Sequence, residues 1–342
     1  MKVNVRFVNV NVPFIVVVSL ACLGACSPRP SGDDLPRLRI LPGSLTVSGV
    51  SSGGYMATQY QVAYAKDVVG AGIIGAGPWF CAQGIVTRAL DECMQGSAAG
   101  PETAPMVATL RASAAARVVD DPSWLASDRV WIFHGQKDRT VGAAVVDSLL
   151  RFYLEFIPRE RIRYETQVPA AHGFPTLDDG GACDVDASPW ILDCGYDAAG
   201  EMLRHLYDGL AAPTAAVTGS LVEFDQVRYL TRSGSAMADQ GLLFVPKDCA
   251  AGEPCRAHVA FHGCGQGAGF IGRSFARQAG YNRWADANRI VVLYPQAASS
   301  AIAPLNSRGC WDWWGYSGPD YAAKRGAQLA AVRRMIEALS SN

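Results

Sequence analysis

The sequence predicts an α/β domain with a mainly parallel sheet covered by helices on both faces. Three observations carry this. Short apolar runs recur along the chain, several without alternation, as expected for strands buried on both faces. The runs are followed by Gly, Ser, Asp or Asn, residues that turn a chain at a strand end. Helical periods lie between them, and such alternation is the mark of a parallel sheet.

The expected strands are Leu45–Val50, Val68–Ala76, Val130–Phe133, Ile162–Thr166, Leu242–Val245, Val259–Phe261 and Ile290–Tyr294. A helix is expected from Tyr55. Val145, Leu149, Phe152 and Phe156 form one helical stripe, with Thr140 available to cap the turn before it. A helical segment runs around Phe275–Asn288, and Leu329, Val332, Ile336 and Leu339 form a last stripe. No internal repeat and no second linker appear, so residues 37–342 are expected to be one domain.

Before that domain the chain reads as an address. Lys2 and Arg6 precede an apolar stretch from Val12 to Leu23, too short to span a bilayer comfortably. It ends in Leu23-Gly24-Ala25-Cys26, which resembles the lipobox of bacterial lipoproteins. Residues 1–25 are therefore expected to be a signal peptide and Cys26 a lipidated N-terminus. Ser27 after it is what such proteins show when sorted to the outer membrane. An ordinary secretory signal is the alternative. Residues 26–36 read as a solvated tether. The expected location is an exported one, as an outer-membrane or periplasmic lipoprotein or else as a secreted protein.

Composition narrows the function. The 342 residues carry 30 Lys+Arg against 31 Asp+Glu, 49% hydrophobic residues and only 18% charged ones. That excludes a disordered chain. It supplies no basic face for nucleic acid. Of ten cysteines, Cys22 goes with the leader and Cys26 with the lipid, leaving an even eight for an oxidising compartment. Close spacing favours Cys81–Cys93, Cys183–Cys194 and Cys249–Cys255, with Cys264 and Cys310 left for each other, although eight cysteines allow many other pairings. Metal-ligand spacing is absent from the sequence, and no metal or cofactor is expected.

Chemistry is expected at the strand ends. Gly49-Val50-Ser51-Ser52-Gly53 fits Gly-x-Ser-x-Gly, the sharp strand-to-helix turn that exposes a serine hydroxyl. An ordinary Gly/Ser turn matches the same pattern, but only Ser51 has both glycines at the required spacing. A base must take its proton. Among five histidines, His134 and His262 end strands, His258 lies in one and His205 on a helix. His172, in a loop, is placed to reach across. Asp138, after the strand Val130–Phe133, can orient that imidazole, or simply cap the next helix. The order Ser51, Asp138, His172 is that of α/β-hydrolases. The His-Gly segment normally found before the nucleophile stands instead at His262-Gly263-Cys264-Gly265-Gln266, so a circularly permuted α/β-hydrolase is expected.

The chain resembles the poly(3-hydroxybutyrate) depolymerase family in its permuted single-domain form. The resemblance rests on Ser51–Met56, His134-Gly135 with Asp138, His172–Pro175, His262–Gln266 and Gly309–Tyr316. It implies Ser51, Asp138 and His172 as the triad and an oxyanion hole from the backbone N–H groups of Ser52 and Cys264. It also implies that a Cys264–Cys310 bridge braces that loop. Trp311, Trp313, Trp314 and Tyr316 are candidates for a substrate wall, with Tyr55 a further one; rings so dense can equally be core. The implied function is hydrolysis of poly(3-hydroxybutyrate) or its oligomers through an acyl-enzyme. A general or feruloyl-type carboxylester hydrolase, and more remotely a non-catalytic binding lipoprotein, are the alternatives. No separate polymer-binding domain is expected, which points toward oligomers, amorphous polymer or some other ester. The expected partners are an ester substrate and a membrane met only through Cys26; a monomer is expected.

Overall fold

The computed structural model describes residues 34–230, 235–302 and 305–340. The readings of the leader, of Cys26 and of most of the tether fall on residues 1–33 and lie outside the described residues. In chain order the strands are β1 (Ile40–Val50), β2 (Val68–Ile74), β3 (Arg129–Phe133), β4 (Ile162–Glu165), β5 (Phe174–Thr176), β6 (Gly181–Ala182), β7 (Ile191–Asp193), β8 (Ser220–Asp225), β9 (Gln240–Val245), β10 (Cys255–Phe261) and β11 (Ile290–Tyr294). The α-helices are α1 (Ser52–Ala63), α2 (Val86–Leu90), α3 (Ala104–Ala115), α4 (Ala143–Leu154), α5 (Ala198–Leu206), α6 (Lys247–Ala250), α7 (Ala268–Ile271), α8 (Ser274–Gln278), α9 (Tyr281–Asn288) and α10 (Ala327–Leu339).

Eight strands form one sheet in the order β4-β3-β2-β1-β10-β11-β9-β8. Pairing is parallel from β4 through β11 and antiparallel at β9 and β8. β1 to β4 fill one half of the sheet and the late strands the other, so the first strand of the chain is central. Side chains alternate across it. Val47, Ile73, Ile132, Val259 and Leu293 pack on the face covered by α1, α3, α4 and α10. Val50, Ile74, Phe133, Val292 and Tyr294 pack on the face covered by α5, α8 and α9. Both faces are dry, which explains the unbroken apolar runs.

β8 and the small sheet β5-β7-β6 escape the sequence reading. β8 is an edge strand with only Phe224 buried, so it carries no apolar run. The expected Phe275–Asn288 helix is two helices, broken at Ala279-Gly280, where Gly280 takes φ 84°. Thr140 does not cap α4, whose N-cap is Gly142; its hydroxyl donates to Asp186 instead. The expected tether ends early: Leu35 is buried in the core, and Asp34 pairs with Arg228 at 2.6 Å.

α1 is buried along its whole length, which demands small residues and satisfied polar ones. Gln59 donates to the Asp312 carbonyl at 2.9 Å, and Gln61 donates to Asp128 at 2.8 Å while accepting from the Tyr153 hydroxyl at 2.7 Å. Its start is wedged between strands. A Cβ on Gly49 would meet the Gly53 carbonyl oxygen at 2.1 Å, and one on Gly53 would meet that of Phe261 at 2.3 Å.

Disulfides join Cys81–Cys93, Cys183–Cys194, Cys249–Cys255 and Cys264–Cys310. Four such bonds belong to an oxidising compartment, and the protein is an exported one.

Candidate active site

The carboxyl ends of the parallel strands align. Val50 stands beside Ile74, Ile74 beside Phe133, Phe133 beside Glu165, and Gly49 beside Phe261. The loops leaving β1, β2, β3, β4 and β10 therefore emerge along one edge. Open α/β sheets place their ligand sites along this edge.

Ser51 is the first residue beyond β1 and adopts φ 58°, ψ −125°, a region that costs a non-glycine residue strain. Its N–H donates to the Ile74 carbonyl at 2.9 Å, and its carbonyl accepts from Tyr55 N–H at 3.1 Å. Those bonds and the close contacts at Gly49 and Gly53 hold the turn. Ser51 and His172 line one cavity of about 470 Å³.

The His172 Nδ1–H donates to Asp138 Oδ2 at 2.8 Å, and the two side chains are 9% and 3% exposed. Asp138 Oδ1 accepts the amides of Thr140 and Val141, both at 2.9 Å. The carboxylate thus orients the histidine and caps a turn at once. Burial alone would raise its pKa. The hydrogen bond and charge of His172, with the Val141 amide, outweigh burial and hold it below the usual range. Gly75, at φ 54°, leaves room for the pair: a Cβ there would lie 3.0 Å from Asp138 Oδ2.

Ser52 and Cys264 also line the cavity. Among the described residues, neither backbone N–H has an acceptor. Amides in a protein interior are normally paired, so an unpaired one is open to an incoming acceptor. The loop carrying Cys264 is tightly held. A Cβ on Gly263 would lie 3.4 Å from Ser51 Cβ. His262 donates from Nδ1 to the Gly263 carbonyl at 2.8 Å and accepts from Ala297 N–H at 3.1 Å. Burial pushes its pKa down to about 4, keeping it neutral for that pattern. Gln266 Oε1 accepts Gly263 N–H at 2.7 Å, and the Cys264–Cys310 bond ties the loop to the tryptophan segment.

The other histidines are structural. His258 bridges the Thr46 and Ser48 hydroxyls, each at 2.7 Å, inside the sheet, where burial pushes its pKa down to about 3. His134 bonds the Val141 carbonyl at 3.0 Å. His205 bonds that of Arg161 at 3.0 Å.

The aromatic wall is only partly the expected one. Trp313, Trp314 and Tyr55 line the cavity, with Tyr55 stacked on Trp313 at 4.5 Å between centroids. Trp311 does not line it: it is fully buried between Phe261 and His262, at 5.1 and 5.4 Å. Tyr316 does not line it either. Its hydroxyl donates to the Cys310 carbonyl and accepts from Gln328, pinning the segment from behind. Asp312 folds this segment by accepting the amides of Gly315, Tyr316 and Ser317. Trp190, outside the expected set, also lines the cavity, held at φ 53° on the loop closed by Cys183–Cys194. Val86, Leu90 and Met94, also outside the expected set, add apolar side chains to the lining. A tryptophan inside a short disulfide loop after the histidine was the available signal for Trp190.

No protein-family model matches the chain. The chain is 41% identical over 313 residues to a poly(3-hydroxybutyrate) depolymerase of Delftia acidovorans, covering 90% of this chain but 62% of that relative's length. It is 34% identical to a polyhydroxybutyrate depolymerase of Talaromyces funiculosus, covering 96% of this chain and 98% of the relative. The fold matches the crystal structure of PHB depolymerase from Penicillium funiculosum with a TM-score of 0.83 at 33% identity, over 90% of this chain and 98% of that one. It matches a serine-to-alanine PHB depolymerase complexed with an R3HB trimer with a TM-score of 0.83 at 32% identity, over the same shares. With an α/β-hydrolase sheet and near-complete coverage of the Talaromyces relative, the chain belongs to the poly(3-hydroxybutyrate) depolymerase family.

Proposed function

We propose that the protein is a serine esterase that hydrolyses poly(3-hydroxybutyrate) or its oligomers through an acyl-enzyme. One observation carries this reading: a strained Ser51, a His172 held by Asp138, and Ser52 and Cys264 with their free amides border a single, mainly apolar cavity. His172 Nε2 takes the Ser51 proton as Oγ attacks the ester carbonyl. The oxyanion accepts hydrogen bonds from the Ser52 and Cys264 amides, each donor lowering the barrier by about 2.7–4 kcal/mol. His172 returns the proton to the leaving alcohol, and water then repeats the cycle on the acyl-enzyme. Asp138 fixes the His172 tautomer and stabilises the imidazolium. The apolar and aromatic walls suit methyl-bearing polyester units.

The aromatic lining from Trp190, Trp313 and Trp314 also favours a second reading, hydrolysis of aromatic esters on the same site. A product profile separates the two. Release of 3-hydroxybutyrate or its oligomers from amorphous granules, faster than turnover of short acyl and feruloyl esters, supports the polyester reading. Turnover of feruloyl esters with no release from granules overturns it.

We also infer a permuted chain order, supported by a nucleophile strand that is first in sequence and central in the sheet. Lipid attachment at Cys26 rests on the Leu23–Cys26 pattern. Loss of membrane association in Cys26→Ser tests it.

A further inference from the structure

The cavity wall is apolar or neutral except at two positions away from the triad, Arg308 and Asp186. Asp186 is engaged. Its Oδ1 accepts the Trp190 indole N–H at 2.8 Å, and its Oδ2 accepts the Thr140 hydroxyl at 2.8 Å. Arg308 is not. Its guanidinium lies over the Trp190 ring, 5.0 Å from the centroid, and among the described residues it pairs with no carboxylate. The ring therefore separates the two charges, with the acid at its edge and the cation on its face.

The cation is anchored near the chemistry. The Arg308 carbonyl accepts Gly265 N–H at 2.7 Å, and a Cβ on Gly265 would lie 3.6 Å from an Arg308 terminal nitrogen. Gly265 follows Cys264, whose amide is free, and Cys310, two residues after Arg308, is bonded to Cys264. An unpaired planar cation beside an apolar ester site matches a carboxylate, which it can bind through two parallel N–H donors.

We propose that Arg308 binds the terminal carboxylate of linear hydroxyacid oligomers, making the enzyme selective for substrates with a free acid end. This rests on the esterase reading above and deepens it. In a chain of 3-hydroxyacid units the acyl side of any internal ester runs to the hydroxyl end. The free carboxylate is therefore always on the leaving-alcohol side. Arg308 then marks where the leaving fragment sits, and its closeness to Cys264 makes that fragment short. Water adds across the ester as before: the acyl carbon gains hydroxyl, the leaving oxygen gains the proton, and Arg308 exchanges none.

The test compares the (R)-3-hydroxybutyrate trimer free acid with its methyl ester, scoring internal ester cleavage at low salt. The readout is the ratio of the two kcat/KM values. Wild type is expected to favour the free acid by about tenfold, the effect of a charge-assisted contact at an exposed site. Arg308→Gln is expected to bring the ratio near one through KM for the acid, and Arg308→Lys to keep part of it. A loss of folding lowers both substrates together and leaves the ratio unmoved. Raising salt on the wild-type protein gives an independent measure, and the preference should shrink. A wild-type ratio at or below one, or one unchanged by Arg308→Gln and by salt, overturns the proposal. Failure to cleave either trimer would instead overturn the esterase reading.

Discussion

Replacing Gly53 by alanine adds one carbon where the structure has no room for it. Its Cβ would stand 2.3 Å from the Phe261 carbonyl oxygen and 2.4 Å from that of His262. Ordinary contact needs roughly 3.5 Å, so about 1 Å must open. Both obstacles are backbone, at the end of β10 and the start of the Cys264 loop, and neither can rotate away. The start of α1 must therefore shift from β10, which parts Ser51 and Ser52 from the Cys264 amide. Overpacking of this kind costs about 1–3 kcal/mol of stability. A misplacement of about 1 Å at reacting groups costs on the order of 100-fold in rate. Steady-state hydrolysis of p-nitrophenyl butyrate and thermal unfolding measure the two effects. Gly269→Ala is the control, since a Cβ there meets nothing within 4 Å. Turnover by Gly53→Ala within twofold of wild type, with an unchanged Tm, would mean that the Gly53 contact does not position the site.

Other perturbations follow the same geometry. Asp138→Asn should lower kcat by about 10⁴ while the protein stays folded, because the amide leaves His172 in the wrong tautomer; a loss under tenfold would contradict its assigned role. Replacing both Cys264 and Cys310 by serine opens a link spanning 46 residues and should cost about 4 kcal/mol in the chain-entropy model. Because the Cys264 amide then loosens, kcat should fall even where Tm shows the variant folded. Asp128 gives a pH signature. Burial pushes its carboxyl up to about 7, against the hydrogen bond of Gln61 and the charge of Arg161. The folded chain keeps a proton that the unfolded chain releases, so this group weakens stability as pH rises from about 4 to 7. Asp128→Asn should melt above wild type at pH 8, by on the order of 2–4 kcal/mol, with the gap closing near pH 4. Equal Tm values at pH 8 would contradict it.

Features written in local sequence were legible before the structure. Gly49 and Gly53 around Ser51 encode the tight turn, because each glycine answers a backbone contact that any side chain would violate. The apolar runs encode β1, β2, β3, β10 and β11, because both sheet faces are covered. Features set by distant neighbours were not. Nothing near Trp311 distinguishes it from Trp313, yet one packs against Phe261 and the other stacks on Tyr55 in the cavity. Trp190 reaches the cavity because Gln266, far along the chain, holds its carbonyl at 2.9 Å. α2 supplies Val86 and Leu90 to the cavity from a helix too short to show a periodic face. β8 is stabilised as an edge by pairing with β9, with only one buried side chain to announce it.

The proposed acyl-enzyme puts the acyl group on Ser51 Oγ, activated by His172. A fluorophosphonate captures such a serine, and intact-mass and peptide mass spectrometry locate the adduct. One stoichiometric adduct is expected on Ser51, absent in Ser51→Ala and greatly slowed in His172→Ala. An adduct on Ser52, or none on a folded wild-type protein, would contradict it.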